Sequence, residues 1–396
     1  MFRCALCVIA LGLAPAAMLA QRAPGAQWPV AKPATVGMNA AVLDSLDAEI
    51  KAGQYGYVDR MLVIRHGQVA YDVTYPHDYD AIYGDSARIG ITLLGGDRGG
   101  PFNYYNAWWH PTYHRGDLHT LQSVTKTVTS AVFGVAMTRG DLKSIDVPVL
   151  SFFDTTKVAN IDDRKRRMTL RHLLTMTGGT DWNENLSYAD PRNTGTQMEA
   201  SADWVKYTIN RPMRNEPGTV YNYNSGESAL LAFVFRQATG IDIEEYAARY
   251  LFAPLGIERW FWKRTPSGTA DTEGGLYLEA KDLARIWYLF LHDGMWNTTR
   301  VVSHDWVRES VTGAIAKNPA ATPRKNYGLL WHLNPDPLNP DRDLWTGSGF
   351  GGQVPVVFPD LDMVVVFNAW NIPGGGKPGL PLAKTLERVA KAVTTR

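Results

Sequence analysis

Leu118-His-Thr-Leu-Gln-Ser123-Val-Thr-Lys126-Thr-Val-Thr-Ser-Ala-Val-Phe-Gly-Val-Ala136 is the stretch on which the reading of this chain turns. Val124, Val128, Ala131, Val132 and Val135 recur at helical spacing, which predicts a helix with Ser123 at its start. Ser123 and Lys126 are then i and i+3 neighbours on one face, so hydroxyl and amine can meet. A serine hydroxyl is a poor nucleophile at neutral pH, and a lysine whose pKa is lowered by burial can take its proton. The helix N-terminus adds a field that favours the developing anion. Ser-x-x-Lys recurs by chance and on its own reads as a surface pair, so the rest of the chain has to support it.

Working outward, Leu43, Leu46 and Ile50 share one helix face. Met61-Leu-Val-Ile-Arg-His66-Gly67-Gln-Val-Ala-Tyr71 reads as a hairpin turning at His66-Gly67. Near the other end, Gln353-Val-Pro-Val-Val-Phe358 and Met363-Val-Val-Val-Phe367 flank the turn Pro359-Asp360-Leu361-Asp362, and an amphipathic helix is expected from about Leu382 to Val393. Strands at both ends with helical patterns between them predict an α/β sheet built from the two termini, with a helical lobe in the middle. The 396 residues contain no linker tract and no repeat. The expectation is one catalytic domain over 21–396, its α/β part about 27–140 and 275–396 and its helical lobe about 141–274.

Composition removes several function classes. Forty basic against 39 acidic residues leave a formal charge of +1, without the clustered cations that hold phosphate backbones or anionic lipid. The run Arg164-Lys165-Arg166-Arg167 reads as a solvated helix entry. The N-terminus differs from the rest: Arg3 precedes an apolar stretch from Cys4 to Ala14 that is too short to span a bilayer, followed by Ala16, Ala17 and Ala20. That pattern predicts a signal peptide over residues 1–20 and a periplasmic or secreted protein without a membrane anchor. Its removal would take away Arg3, Cys4 and Cys7, leaving balanced charge and no thiol. A disulfide framework, a cysteine nucleophile and a thiolate metal site are then all excluded.

A second run, Pro217-Gly-Thr-Val-Tyr221-Asn-Tyr223-Asn-Ser225-Gly-Glu-Ser-Ala-Leu-Leu231, leads into a helix ending at Thr239-Gly240, with Phe252-Ala-Pro-Leu-Gly256 beyond it. Met168-Thr-Leu-Arg-His172-Leu-Leu-Thr-Met-Thr-Gly-Gly179, Gly274-Gly-Leu-Tyr277 and Asp282-Leu-Ala284 follow the same order of motifs. Together with Ser123-x-x-Lys126, this ordered set, from about residue 35 to 393, resembles the β-lactamase-related, penicillin-recognising serine hydrolases: class C β-lactamases, DD-peptidases, related esterases and 6-aminohexanoate-oligomer hydrolases. The resemblance implies an antiparallel sheet flanked by helices, with the site between sheet and helical lobe.

Carried over residue by residue, the resemblance makes Ser123 the acylated nucleophile, Lys126 its proton acceptor and Tyr223 the second proton-transfer residue, with Ser225 two positions on. Tyr221 is the alternative to Tyr223, and the Pro-Gly-Thr spacing favours Tyr223. Trp345-Thr-Gly-Ser348-Gly349-Phe350-Gly-Gly-Gln353 resembles the strand whose backbone N–H completes the oxyanion hole with that of the nucleophile. The aligned donor is Phe350, or Ser348 if a gap intervenes. Trp345 stands where the family has Lys or His. That departure moves the expectation away from a β-lactamase or a D-amino-acid peptidase and towards an esterase or linear-amide hydrolase. A non-catalytic ligand-binding or sensing member of the fold is the rival from another class. Trp345, Ser348, Gly349, Ser225 and Trp109 are the expected substrate contacts. No cofactor or metal is called for, and the partner is a small ester or amide.

Other signals carry less. Gly347-x-Gly349-x-x-Gly352 has the letters of a dinucleotide fingerprint but precedes a β-rich run rather than a helix. His110-Pro-Thr-Tyr-His114 and His119 lack a zinc-binding helix, and a loop beside the active site is the better reading, with His114 or His119 either lining it or holding structure. Tyr104, Tyr105, Trp108 and Trp109 form either core or a substrate wall. Trp204, Trp260 and Trp262 read as core.

Overall fold

The computed structural model describes residues 23–89, 99–373 and 379–395. The segment read as a signal peptide therefore lies outside the described residues. The alternating pattern near each end forms one six-stranded antiparallel sheet: β1 (Val58–Arg65), β2 (Gln68–Thr74), β3 (His332–Asp336), β4 (Asn339–Thr346), β5 (Val354–Phe358) and β6 (Met363–Ala369), in the order β2-β1-β6-β5-β4-β3. The two termini meet at its centre, where Met61 pairs with Phe367 and Val63 with Val365.

β6 is apolar along nearly its whole length because both faces of the sheet are covered. Met363, Val365 and Phe367 pack with Met61 and Val63 beneath α1 (Ala40–Lys51) and α5 (Leu382–Lys391). Val364 and Val366 point the other way with Leu62 and Ile64, into the larger core that includes α4 (Ala280–Leu291). The period of two in a strand makes this division automatic.

That larger core continues into the lobe, which is built around α2 (Val124–Arg139) and α3 (Ser225–Thr239). α2 is buried from Val124 to Ala136, polar positions included, whereas its sequence pattern predicts a single buried face. Of its buried hydroxyls, Thr127 donates to the Leu330 carbonyl at 2.8 Å and Thr125 accepts from the Leu276 N–H at 3.1 Å, whereas those of Thr129 and Ser130 are buried without a hydrogen-bond partner. A short three-stranded sheet, Phe261–Trp262, Leu276–Leu278 and His119–Thr120, joins the lobe to the segment entering α2.

One basic residue departs from expectation. Arg164 to Arg167 form a short helix at the surface, but Lys165 is buried, its ammonium donating to the carbonyls of Ala159, Ile209 and Arg211 at 3.0, 2.8 and 2.7 Å. It ties two loops together instead of facing solvent, because three converging carbonyls replace its hydration. Among the described residues no helix is long and apolar enough to cross a membrane.

Candidate active site

Three independent restraints fix Ser123 at the N-terminus of α2. Leu121 donates to the Leu276 carbonyl at 2.9 Å, and the Leu276 N–H donates to the Thr125 hydroxyl at 3.1 Å. Gln122 adopts a left-handed backbone at φ 47°, a conformation uncommon for a residue with a side chain. Its amide donates to the Thr120 hydroxyl at 2.9 Å, holding the turn that presents Ser123. The chain reverses tightly here, so the serine projects from the end of a buried helix into the gap between lobe and sheet.

Lys126, one turn further along, is 2% exposed. Its ammonium donates to Ser123 Oγ at 3.0 Å, to the Glu273 carbonyl at 2.6 Å and to Glu273 Oε2 at 3.2 Å. The turn carrying Glu273 is shaped by Asp271, whose Oδ1 accepts from the N–H groups of Glu273 and Gly274 at 3.1 and 2.9 Å. Tyr223 enters from the residue before the cap of α3 and donates to Ser123 Oγ at 2.6 Å. The cap itself is Asn224, whose side chain accepts from Glu227 N–H at 2.9 Å. Tyr221 packs edge-on against Tyr327 at 5.0 Å, apart from this cluster.

The electrostatics invert one expectation. Burial alone would lower the Lys126 pKa, but the charges of Tyr223, Glu273 and Glu184 outweigh it, and the ammonium is held above its ordinary value. The lysine with a lowered pKa expected from the sequence is therefore corrected: the neighbouring acids were not visible in Ser-x-x-Lys. Burial raises Tyr223, with Lys126 pulling the other way. Burial also pushes Glu273 up, yet the facing ammonium wins and keeps its carboxyl below the ordinary value. At neutral pH the cluster is an ammonium, a phenol and a carboxylate around one hydroxyl.

A cleft opens beside Ser123, lined by Tyr104, Gln122, Ser123, Tyr188, Glu199, Glu273 and Phe350. None of the five expected substrate contacts is among these lining residues, whereas Phe350, the expected oxyanion donor, is. Gly349 lies where a Cβ would fall 2.4 Å from the Leu121 carbonyl oxygen, so only glycine lets this loop approach the turn before Ser123. Its N–H is taken up by the Gln353 carbonyl at 2.9 Å. Ser348 is exposed and is not among the lining residues.

The remaining expected contacts lie elsewhere. Trp345 pairs with Val357 and Leu333 on the neighbouring strands, is half-buried against the main core, and is not among the residues lining the cleft. Ser225 is buried, its hydroxyl donating to Glu184 Oε1 at 2.7 Å and its N–H to Glu184 Oε2 at 2.9 Å. Trp109 stacks on Phe261 at 6.0 Å and donates to the Gly99 carbonyl. His119 is held by Asp59 at 3.0 Å, and His114 stacks on Trp108 at 4.5 Å, so both serve structure. Tyr104, from the aromatic cluster, is the member that reaches the site.

Four site residues were missed from the sequence: Glu184, Tyr188, Glu199 and Glu273. The first three lie on a lobe segment without pattern. Glu273 had a signal, an acid immediately before the Gly274-Gly275 pair already singled out. Among the described residues no three histidine, cysteine or acidic side chains are arranged to hold a metal ion.

An antiparallel sheet, a helical lobe and a serine, lysine and tyrosine converging between them define the penicillin-recognising serine-hydrolase fold. The family model described as beta-lactamase matches residues 59–384, and the chain belongs to that family. It is 26% identical over 288 residues to the 6-aminohexanoate-dimer hydrolase of Paenarthrobacter ureafaciens, covering 68% of this chain and 70% of that protein. It is 29% identical over 197 residues to the monacolin J acid methylbutanoyltransferase of Aspergillus terreus, covering 42% of this chain and 46% of the transferase, less than half its length. Among solved structures, a penicillin-binding protein homolog from Caulobacter crescentus superposes with a TM-score of 0.61 at 15% identity, over 89% of this chain and 97% of that one, a likeness of fold.

Proposed function

We propose that the chain is an exported serine hydrolase that cleaves a small ester or amide through an acyl-enzyme on Ser123. The observation that carries this reading is the meeting of Lys126 and Tyr223 on one hydroxyl, at 3.0 and 2.6 Å, beside an open cleft. With Lys126 held as an ammonium, its part is electrostatic: it stabilises the phenolate form of Tyr223, a minor form at neutral pH that grows as pH rises, and that phenolate is the base. Tyr223 takes the Ser123 proton as Oγ attacks the carbonyl. The oxyanion is held by the N–H groups of Ser123 and Phe350. Tyr223 then gives the proton to the leaving oxygen or nitrogen, and the acyl-enzyme remains. A water attacks next, losing its proton to Tyr223, and Ser123 regains it as the acid departs.

Esterase or linear-amide hydrolysis is preferred over β-lactam hydrolysis because Trp345 replaces the family's cation and packs into the core. Export rests on the N-terminal sequence pattern alone. A second reading, acyl transfer to an alcohol or amine in place of water, is favoured by the transferase among the relatives. The test is p-nitrophenyl butyrate turnover by wild type and Ser123→Ala, with intact-mass detection of the acylated protein and added butanol to reveal transfer. Ser123-dependent turnover with a transient acyl mass is expected. Unchanged turnover in Ser123→Ala would overturn the reading, and absence of both rate and adduct would favour a non-catalytic binding role.

A further inference from the structure

Behind the turn that holds Lys126 lies a second buried cation. Lys263 follows the strand Phe261–Trp262, and its side chain and that of Asp271 are both 0% exposed. The ammonium stands 3.5 Å from Asp271 Oδ2, its one acidic partner among the described residues. Aromatic groups cover it elsewhere: the rings of Phe102 and Tyr104 at 4.6 and 5.0 Å, and the Tyr104 hydroxyl at 3.5 Å. A buried ion pair is often no more stabilising than apolar residues of the same volume. Stability alone is therefore a poor reason for this one.

Asp271 connects the pair to the chemistry. Its Oδ1 accepts the N–H groups of Glu273 and Gly274 at 3.1 and 2.9 Å. Backbone bonds lace the same turn to Lys263: Asp271 N–H donates to the Lys263 carbonyl and Lys263 N–H to the Gly275 carbonyl, both at 2.9 Å. The Glu273 carbonyl and carboxylate then receive the Lys126 ammonium, which reaches Ser123 Oγ. Contacts run without a break from Lys263 to the nucleophile.

The charges around the turn balance only with Lys263 present. Lys126 and Lys263 face the carboxylates of Glu273 and Asp271. Glu199, on the short helix Thr194–Glu199, is the neutral member: burial and the neighbouring Glu273 carboxylate hold its proton, which it donates to Glu273. The phenols of Tyr104 and Tyr277 face this volume too, and burial holds both well above their ordinary pKa. Burial pushes the Asp271 carboxyl up to about 6, and Lys263 is the foremost influence against a further rise. Without Lys263 that carboxyl takes up a proton at neutrality, and a neutral acid is a weaker acceptor for two N–H groups than a carboxylate.

We infer that Lys263 is a positioning residue for the reaction: by keeping Asp271 charged it grips the 271–274 turn, so that Glu273 holds the Lys126 ammonium against Ser123. Neither Lys263 nor Asp271 lines the cleft. This deepens the hydrolase reading and rests on it for the kinetic effect, while the charge on Asp271 can be read without turnover.

The full chain is compared with Lys263→Met, which drops the charge and retains most of the side chain, and with Lys263→Met, Asp271→Asn, which removes both charges and retains an oxygen acceptor. Difference infrared spectroscopy at pH 7 is expected to show a protonated-carboxyl band in Lys263→Met that is missing from the double variant. On p-nitrophenyl butyrate at pH 7, kcat per folded molecule is expected to fall about tenfold in both variants, with KM within about twofold of wild type. The Lys263→Met deficit is expected to close as pH rises and Asp271 ionises, whereas the double variant, with nothing to ionise at 271, retains its deficit throughout. A missing band overturns the inference, and so does a Lys263→Met deficit that is flat with pH. Where the single variant fails to fold, the charge-balanced double variant decides, and wild-type kcat in it overturns the inference. The band together with turnover independent of Ser123 would sink the hydrolase reading alone; Ser123-dependent turnover without the band would sink this one alone.

Discussion

The Tyr223 hydroxyl donates to Ser123 Oγ across 2.6 Å although 100 residues separate the two. Among the described residues, Tyr223 is the oxygen group hydrogen-bonded to that hydroxyl, so Tyr223→Phe removes the proton carrier and leaves the packing of the ring intact. Turnover of p-nitrophenyl butyrate is expected to fall about 10²–10⁴-fold, with a denaturation midpoint near that of wild type. A loss under tenfold would move the base to another group.

The pH dependence follows from the same pair. Lys126 and Tyr223 both hold their protons more firmly than the free side chains, so the form with one proton missing from the pair grows as pH rises. Ser123-dependent kcat/KM is expected to climb from neutrality towards the ordinary tyrosine value of 10.0 without reaching a plateau. A plateau below pH 8 in that profile would mean that substrate or an unseen group lowers the pair.

Lys126→Ala tests the electrostatic role together with its structural cost. Removing the ammonium leaves Glu273 buried without its counter-charge, for which a loss of about 3–5 kcal/mol in unfolding free energy is expected. Because the folded-state pKa of Lys126 lies above the ordinary 10.5, this stabilisation is complete at neutral pH and declines only as pH rises through the folded value in strong alkali. Urea denaturation at pH 7 reads the difference. Wild-type stability in the variant would show that Glu273 simply takes up a proton at no cost.

Gly349→Ala probes the seam between sheet and lobe. The added Cβ meets the Leu121 carbonyl oxygen, a backbone atom in the turn before Ser123 that has no rotamer with which to yield. A stability loss of about 1–3 kcal/mol is expected, accompanied by a fall in kcat as the oxyanion side moves away from the nucleophile. Unaltered kcat would separate this loop from the chemistry.

Much of this architecture was legible in the chain. The hairpin at His66-Gly67 appears as β1 and β2, the two apolar runs near the C-terminus as β5 and β6, and the last amphipathic stretch as α5. Period and turn residues are local properties, and local properties survive folding when both faces of the sheet are buried anyway. The meeting of Ser123 and Lys126 is local too, a consequence of one helical turn.

What the sequence determined by itself was therefore the elements, their class and the residue types able to make an acyl-enzyme. Only the tertiary structure decided the charge state of Lys126, the withdrawal of Ser225 and Trp345 from the cleft, and the entry of Glu184, Glu199 and Glu273 beside it. The reason is physical: a pKa and a pocket wall depend on which distant groups share one buried volume. Lys126 and Glu273 stand 147 residues apart, and only the folded chain places them 3.2 Å from each other.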